Sequence, residues 1–231
     1  MIVREENDSF VLIEQHEHDQ ISGEFAKHWR EQPRPFEPTI YAIANHDLAW
    51  QEIDKSVRWN EATGKPYAFT NYPTGPKLRA YSGGLDLLES RSPYAACLCS
   101  MHYTTIVRGS EGEEGKRFEE SETKRQQRLK KEMSAEELDN LERNLRFLKL
   151  CDGLSLFVCL NEPGETAYPP PCPNGFSFEG AKLEPVWEDR STLRLDPNPF
   201  SEPFDLSVPY ALIKKDGTPA GSNRLELRVT C

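Results

Sequence analysis

An apolar run, Tyr41-Ala42-Ile43-Ala44-Asn45-His46-Asp47-Leu48-Ala49-Trp50, carries a histidine directly beside an aspartate. A second histidine, His18, precedes this pair, and Asp152 follows it far downstream. Imidazole and carboxylate groups are expensive to bury among apolar residues unless something binds them. The order histidine, His-Asp pair, aspartate therefore favours a divalent metal site.

Helical periodicity places these residues on surfaces that face the core. His18 opens the apolar face of a helix that starts near residue 16. A second helix is predicted over roughly residues 39 to 54, with Asp47 on its apolar stripe and His46 about 100° around it. The capping box at Ser134 begins a third helix, on which Asp152 occupies a position where the pattern calls for leucine.

Two further segments bear on the site. Ser92-Pro93 is a good helix start, and the helix that follows presents His102 inward. His102 is then either a ligand or substrate contact, or a core histidine bonded to a backbone carbonyl. Residues 60 to 80 are predicted to be irregular, and the charged run from 110 to 132 is predicted to be a solvated helix.

The sequence patterns at both ends of the chain predict β-structure. Residues 1 to 15 are predicted to form a hairpin. Eleven of the eighteen prolines follow Asn161, and short strands are expected there at 183–187, 192–195, 207–214 and 224–230. We therefore predict a mainly α fold: a helical metal-binding core with its hairpin over residues 1–160, and a proline-rich, short-stranded β extension over residues 161–231 packed on that core.

The composition of the chain indicates which kinds of molecule it binds. The net charge of −10 argues against nucleic acid and anionic membranes, which favour an excess of Lys and Arg. The six cysteines include no C-x-x-C pair and are predicted to be reduced thiols of a cytoplasmic protein. No apolar run approaches the roughly 18 residues of a membrane span, and the first residues do not resemble a signal peptide. We expect a small-molecule substrate.

The predicted ligands are His18, His46, Asp47 and Asp152. A mixed imidazole and carboxylate set without thiolates is typical of a catalytic divalent ion with open positions. The ion is expected to be Mn, Fe, Ni, Co, Zn or Mg.

The same four residues resemble the signature of the HD superfamily of metal-dependent phosphohydrolases. That resemblance spans roughly residues 10 to 160 and implies an all-helical core. Nearly the whole chain is similar to an uncharacterised bacterial family of unknown function, through the segments Gln15–Gly23, His46–Asp54, Ser100–Tyr103 and Cys151–Leu156.

The superfamily resemblance implies that the metal generates hydroxide for attack on a small phosphorylated metabolite or nucleotide. Asp47, which would orient the water, and His102 are the candidate catalytic residues. Many HD hydrolases carry a phosphate-binding lysine shortly after the doublet, whereas Leu48-Ala49-Trp50 follows here. Phosphate recognition would then fall to other basic residues, for which the candidates are Lys55, Arg58, Lys77 and Arg79.

Two alternatives remain open. An iron-dependent oxygenase on the same scaffold would need more histidines than the five present for the usual di-iron ligand set. A non-catalytic metal- or ligand-binding module would use the C-terminal strands as its surface. The sequence does not indicate an oligomeric state.

Overall fold

A computed structural model describes residues 1–109, 112–169 and 172–231, so the start of the predicted charged helix and part of the proline run lie outside the described residues. Seven α-helices occupy the middle of the chain within those ranges. They are α1 (Gln15–Lys27), α2 (Phe36–Ile43), α3 (Gln51–Asp54), α4 (Thr74–Arg91), α5 (Pro93–Val107), α6 (Glu113–Lys130) and α7 (Ala135–Leu160).

The strands come from both ends of the chain. They are β1 (Ile2–Glu6), β2 (Ser9–Ile13), β3 (Trp59–Asn60), β4 (Lys65–Pro66), β5 (Phe176–Phe178), β6 (Ala181–Trp187), β7 (Thr192–Asp196), β8 (Phe204–Lys214) and β9 (Pro219–Thr230). One seven-stranded sheet has the order β1-β2-β8-β9-β7-β6-β5, in which only β7 and β9 pair in parallel. The two short strands β3 and β4 pair separately.

The predicted mainly α, HD-like fold is wrong. The chain is 46% helical and 24% strand, and its long sheet curls into a half-barrel. The predicted hairpin and the four C-terminal strands do occur, but β2 pairs with β8, from Ser9 opposite Lys214 to Leu12 opposite Ala211. The hairpin and the C-terminal strands thus belong to one large sheet. The division of the chain at residue 160 stays a prediction.

The predicted helix over residues 39–54 is also wrong, because the chain turns at the His-Asp pair. Helix α2 ends at Ile43, a 3-10 turn covers Leu48–Trp50, and α3 begins at Gln51. The His46 ring bonds back to the carbonyl of Ile43 at 2.7 Å, which caps the end of α2. His46 and Asp47 therefore lie in a tight connection between helices.

Capping signals located two other helices correctly. The Ser92 hydroxyl accepts the Ala95 N–H at 3.2 Å at the start of α5. Ser134 and Glu137 form the reciprocal capping box that begins α7. Helix α4 begins at Thr74, so the last third of the segment predicted to be irregular is helical. Pro76 is tolerated there because in the first turn it lacks only an N–H that would have no partner within the helix.

Two glycines let helices approach the His-Asp connection closely. A Cβ on Gly23 of α1 would lie 2.6 Å from the Cβ of Ala44, and one on Gly84 of α4 would lie 2.7 Å from the Cβ of Ala49. Real Cβ atoms do not come this near one another. The connection is thus held between α1 and α4 by contacts on both sides of the doublet.

Among the described residues, the helices are all too short or too polar to traverse a lipid bilayer.

Candidate metal centre

Four parts of the fold converge on one buried cluster. His18 comes from α1, His46 and Asp47 from the connection after α2, His102 from α5 and Asp152 from α7. Two groups of these residues have donor atoms within 4.8 Å of one another: His18, His46 and Asp47, and His46, His102 and Asp152. The structure thus brings together all five residues that the sequence singles out, and these buried groups could hold a metal ion.

The His18 ring is held from both sides. Ser155 Oγ donates its single proton to the carbonyl of Asp152 at 2.8 Å, so it accepts a hydrogen bond from His18 Nδ1, also at 2.8 Å. Nε2 of His18 then faces Asp47 Oδ2 at 3.0 Å. An imidazole lone pair and a carboxylate at this distance require a cation, either a proton or a metal ion.

The His46 ring has a free nitrogen. Its Nδ1 donates to the Ile43 carbonyl, so in the neutral ring the lone pair lies on Nε2. This Nε2 is buried, has no hydrogen-bond partner among the described residues, and lies 3.5 Å from Asp152 Oδ1. A buried polar atom without a partner is costly and calls for a ligand.

Asp47 is held by groups that the sequence analysis missed. Gln15 Nε2 donates to Asp47 Oδ2 at 2.8 Å, and the Asp47 N–H donates to the buried Asp19 carboxylate at 3.3 Å. Burial disfavours the Asp47 carboxylate, but His18 and His46 outweigh it and hold its pKa below the usual value. Asp47 is therefore charged and fixed in orientation.

His102 lies at the cavity side of the cluster. Its Nε2 is 3.6 Å from Asp152 Oδ2, and its buried Nδ1 has no hydrogen-bond partner in the described part of the chain. Burial lowers the pKa of His102 to about 4, against the opposing effect of Asp152. His102 is neutral near pH 7, and its ring forms no hydrogen bond to a backbone carbonyl of any described residue.

The carboxylates make the cluster strongly attractive to cations. Burial alone would lower the pKa of His46, yet Asp152, Asp47 and Asp19 together raise it to about 10. The pKa of Asp152 is held well below its usual range, because the neighbouring histidines outweigh its burial. Either an extra proton or a metal ion satisfies such a site.

A cavity of about 580 Å³ opens beside the cluster. Its walls include two half-buried lysines, Lys77 from α4 and Lys149 from α7. Burial lowers the pKa of both. Within the described ranges, neither ammonium group forms an ion pair.

Of the four basic residues predicted to contact phosphate, only Lys77 lines this cavity. Lys55 pairs with Glu52, Arg58 bonds to the Tyr72 hydroxyl, and Arg79 is exposed. Lys149 was not among the predicted phosphate contacts, although it precedes Asp152 by about one helical turn and so shares its face of α7.

The fold and the site together define a helical and β-sheet protein with a candidate metal centre. The sequence matches the family described as Protein of unknown function (DUF3891) over residues 1–215, and the chain belongs to that family. No curated protein and no solved structure matches it. The predicted membership of a family of unknown function is confirmed, whereas the comparisons support neither the HD resemblance nor a bacterial origin.

Proposed function

We propose that this protein is a metal-dependent hydrolase that acts on a phosphoester of a small metabolite or nucleotide. The observation that carries the proposal is the buried Nε2 of His46, which has no partner in the described residues and faces Asp152 across 3.5 Å. A divalent ion would satisfy that nitrogen and the two neighbouring carboxylates together.

The donor set fits a catalytic ion. His18 Nε2, His46 Nε2, Asp47 and Asp152 would supply two imidazoles and two carboxylates, a mixture suited to Mn, Fe, Co, Ni, Zn or Mg. Nδ1 of each histidine is already fixed, by Ser155 in one case and the Ile43 carbonyl in the other. Such outer bonds orient the histidine ligands of metal sites and set their tautomer.

The ligand order His18, His46-Asp47, Asp152 resembles that of the HD superfamily, and the proposal follows this resemblance in the site alone, not in the fold. A bound divalent ion would make hydroxide available near neutral pH and offset charge on a phosphoryl group. Asp47, held by Gln15, would accept a hydrogen bond from the attacking water. His102, neutral and at the cavity wall, would contact the substrate. We expect the substrate to be a cytoplasmic small molecule.

One observation favours a second candidate, an iron-dependent oxygenase. His46, His102 and Asp152 form a group of two histidines and one carboxylate beside an open cavity. That combination with open positions is typical of non-haem iron(II) oxygenases. Protein purified without oxygen should then carry iron, and its absence would remove this candidate.

Elemental analysis of purified protein tests the metal site. The wild type, reconstituted with Mn, should retain about one ion per chain, while His46→Ala and Asp152→Asn should each lose it. Asp139→Asn is the matched control, because Asp139 is an exposed aspartate on the same helix as Asp152. Metal that stays in both site variants would rule out this centre.

Turnover tests the reaction class. Protein loaded with Mn, Co, Ni or Mg should release phosphate from some member of a broad panel of small phosphoesters, and Asp47→Asn should abolish that release. A metal-loaded wild type that releases no phosphate from any member would contradict the hydrolase assignment.

A further inference from the structure

We infer that the cavity beside the metal centre selects a dianionic phosphate group held between Lys77 and Lys149, so that the substrate class is a phosphomonoester and not a diester. This inference rests on the proposed function and names the substrate class of the same site. Its basis is the charge and the placement of the two lysines.

The two lysines come from different helices and meet at one cavity. Lys77 lies in the first turns of α4, and Lys149 lies on α7, one turn before Asp152. Both are half-buried, and neither has a carboxylate partner at ion-pair distance among the described residues. An ammonium group withdrawn from water without a partner is unfavourable, so the pair calls for an anionic ligand.

The charge of the cavity distinguishes between classes of phosphate ester. Asp47 and Asp152 line the cavity together with Lys77 and Lys149, so carboxylates and ammonium groups offset each other. With a divalent ion bound, the net charge of the cavity would be about +2, since the two carboxylates and the two ammonium groups cancel. A phosphomonoester carries a charge of about −1.5 to −2 near pH 7 and balances it, whereas a diester carries about −1 and leaves an excess.

The other residues that line the cavity indicate the polarity and the size of the rest of the ligand. Phe69, Ile106 and Leu156 contribute apolar surface, and the cavity volume suits a small molecule more than a polymer. Among the described residues that line the cavity, none beyond the two lysines, the two aspartates and the two histidines has a side chain that could pair with a second charged group. The ligand is thus a small molecule with one phosphate end.

Calorimetric titration with two probes tests this inference. Inorganic phosphate should bind Mn-loaded wild type at least about tenfold more tightly than dimethyl phosphate, a diester anion, because each charge-assisted hydrogen bond contributes about a factor of ten or more. Lys77→Met and Lys149→Met should each weaken phosphate binding by a similar factor. Lys77→Arg and Lys149→Arg should restore most of it, since they keep the charge.

Lys124→Met is the matched control, because Lys124 is an exposed lysine on α6 that does not line this cavity. It should leave phosphate binding unchanged. Equal affinity for both probes, or phosphate binding unaffected by both Met variants, would overturn the inference.

Metal content, measured on every sample, separates this inference from the proposed function. Variants that keep their metal and bind phosphate as the wild type does would contradict the lysine pair alone. If the wild type holds no metal, the proposed function fails, and the same titrations on metal-free protein still decide the lysine pair: weaker binding in the Met variants supports it, and unchanged binding overturns it.

Discussion

Nε2 of His46 and Oδ1 of Asp152 lie 3.5 Å apart in a buried site, although one residue follows α2 and the other lies deep in α7. Neither is a good hydrogen-bond partner of the other at that distance. A separation of 3.5 Å instead suits two ligand atoms that bind the same small ion.

Ser155 should control metal affinity without contacting the ion. Ser155→Ala leaves His18 Nδ1 without its acceptor, which should weaken metal binding by about 10- to 100-fold. The unpaired N–H should also lower the free energy of unfolding by about 1–3 kcal/mol. Metal titration and urea unfolding measure the two effects. Ser90→Ala, at an exposed helical serine, should change neither, and an unaltered metal affinity in Ser155→Ala would show that His18 is not a ligand.

Gly84 and Gly83 should respond to alanine in opposite directions. In Gly84→Ala the new methyl group meets Ala49 at 2.7 Å, so we expect a loss of about 1–3 kcal/mol in the free energy of unfolding and weaker metal binding. In Gly83→Ala the methyl group meets nothing within 4 Å, and a gain of about 0.5–1 kcal/mol is expected from the higher helix propensity of alanine. Thermal unfolding and metal titration of the pair test this. Equal stability of the two variants would contradict the close contact of α4 with the connection.

His102 should affect turnover more than metal content. Its Nε2 lies 3.6 Å from Asp152 Oδ2, outside hydrogen-bond distance, and its ring lines the cavity. His102→Gln should therefore keep about one metal ion per chain while its phosphate release falls by about a hundredfold or more. Elemental analysis beside a turnover assay measures both. A variant that loses the metal would make His102 a ligand.

Buried thiols should reduce stability at alkaline pH. Burial raises the pKa of Cys159 to about 12, above the value of about 8.5 expected in the unfolded chain. Its contribution to stability is therefore complete below about pH 8.5 and is lost as the pH rises toward 12, at about 1.4 kcal/mol per pH unit. Urea unfolding between about pH 8 and pH 10 should show a smaller slope for Cys159→Ala than for the wild type. Cys231→Ala, at an exposed thiol, should keep the slope of the wild type.

The residues of the candidate site could be predicted from the sequence better than the fold could. His18 begins the apolar stripe of α1, and Asp152 interrupts the apolar stripe of α7. A polar residue at a buried position indicates a functional site, because its burial is costly unless something binds it. The residues that orient Asp47 could not be predicted, for a different reason. Asp19 and Gln15 act through contacts between separate elements, and no local pattern predicts which backbone N–H or carboxylate they reach.

Helix boundaries with side-chain caps, as at Ser92 and Ser134, were predictable because a cap is a local interaction. The sheet was not, because pairing of β2 with β8 joins segments about two hundred residues apart, and period-2 alternation does not specify a partner. The break after Ile43 had one local signal that the helical periodicity outweighed: Asn45, a residue type common at helix ends, donates its side-chain amide to the Tyr41 carbonyl at 2.9 Å.

The pairing of β2 with β8 also constrains how the chain folds during synthesis. The hairpin leaves the ribosome before the seven described helices but gains β8 as its neighbour only when Ala211 to Lys214 emerge, after those helices. Until then the edge of β2 has no partner, and Phe10 and Leu12 lack Ile213, which packs with them in the folded protein. An unpaired apolar edge strand is prone to associate with other chains, and contacts so distant in sequence form slowly. Folding yield should thus depend on how soon β8 pairs with this edge.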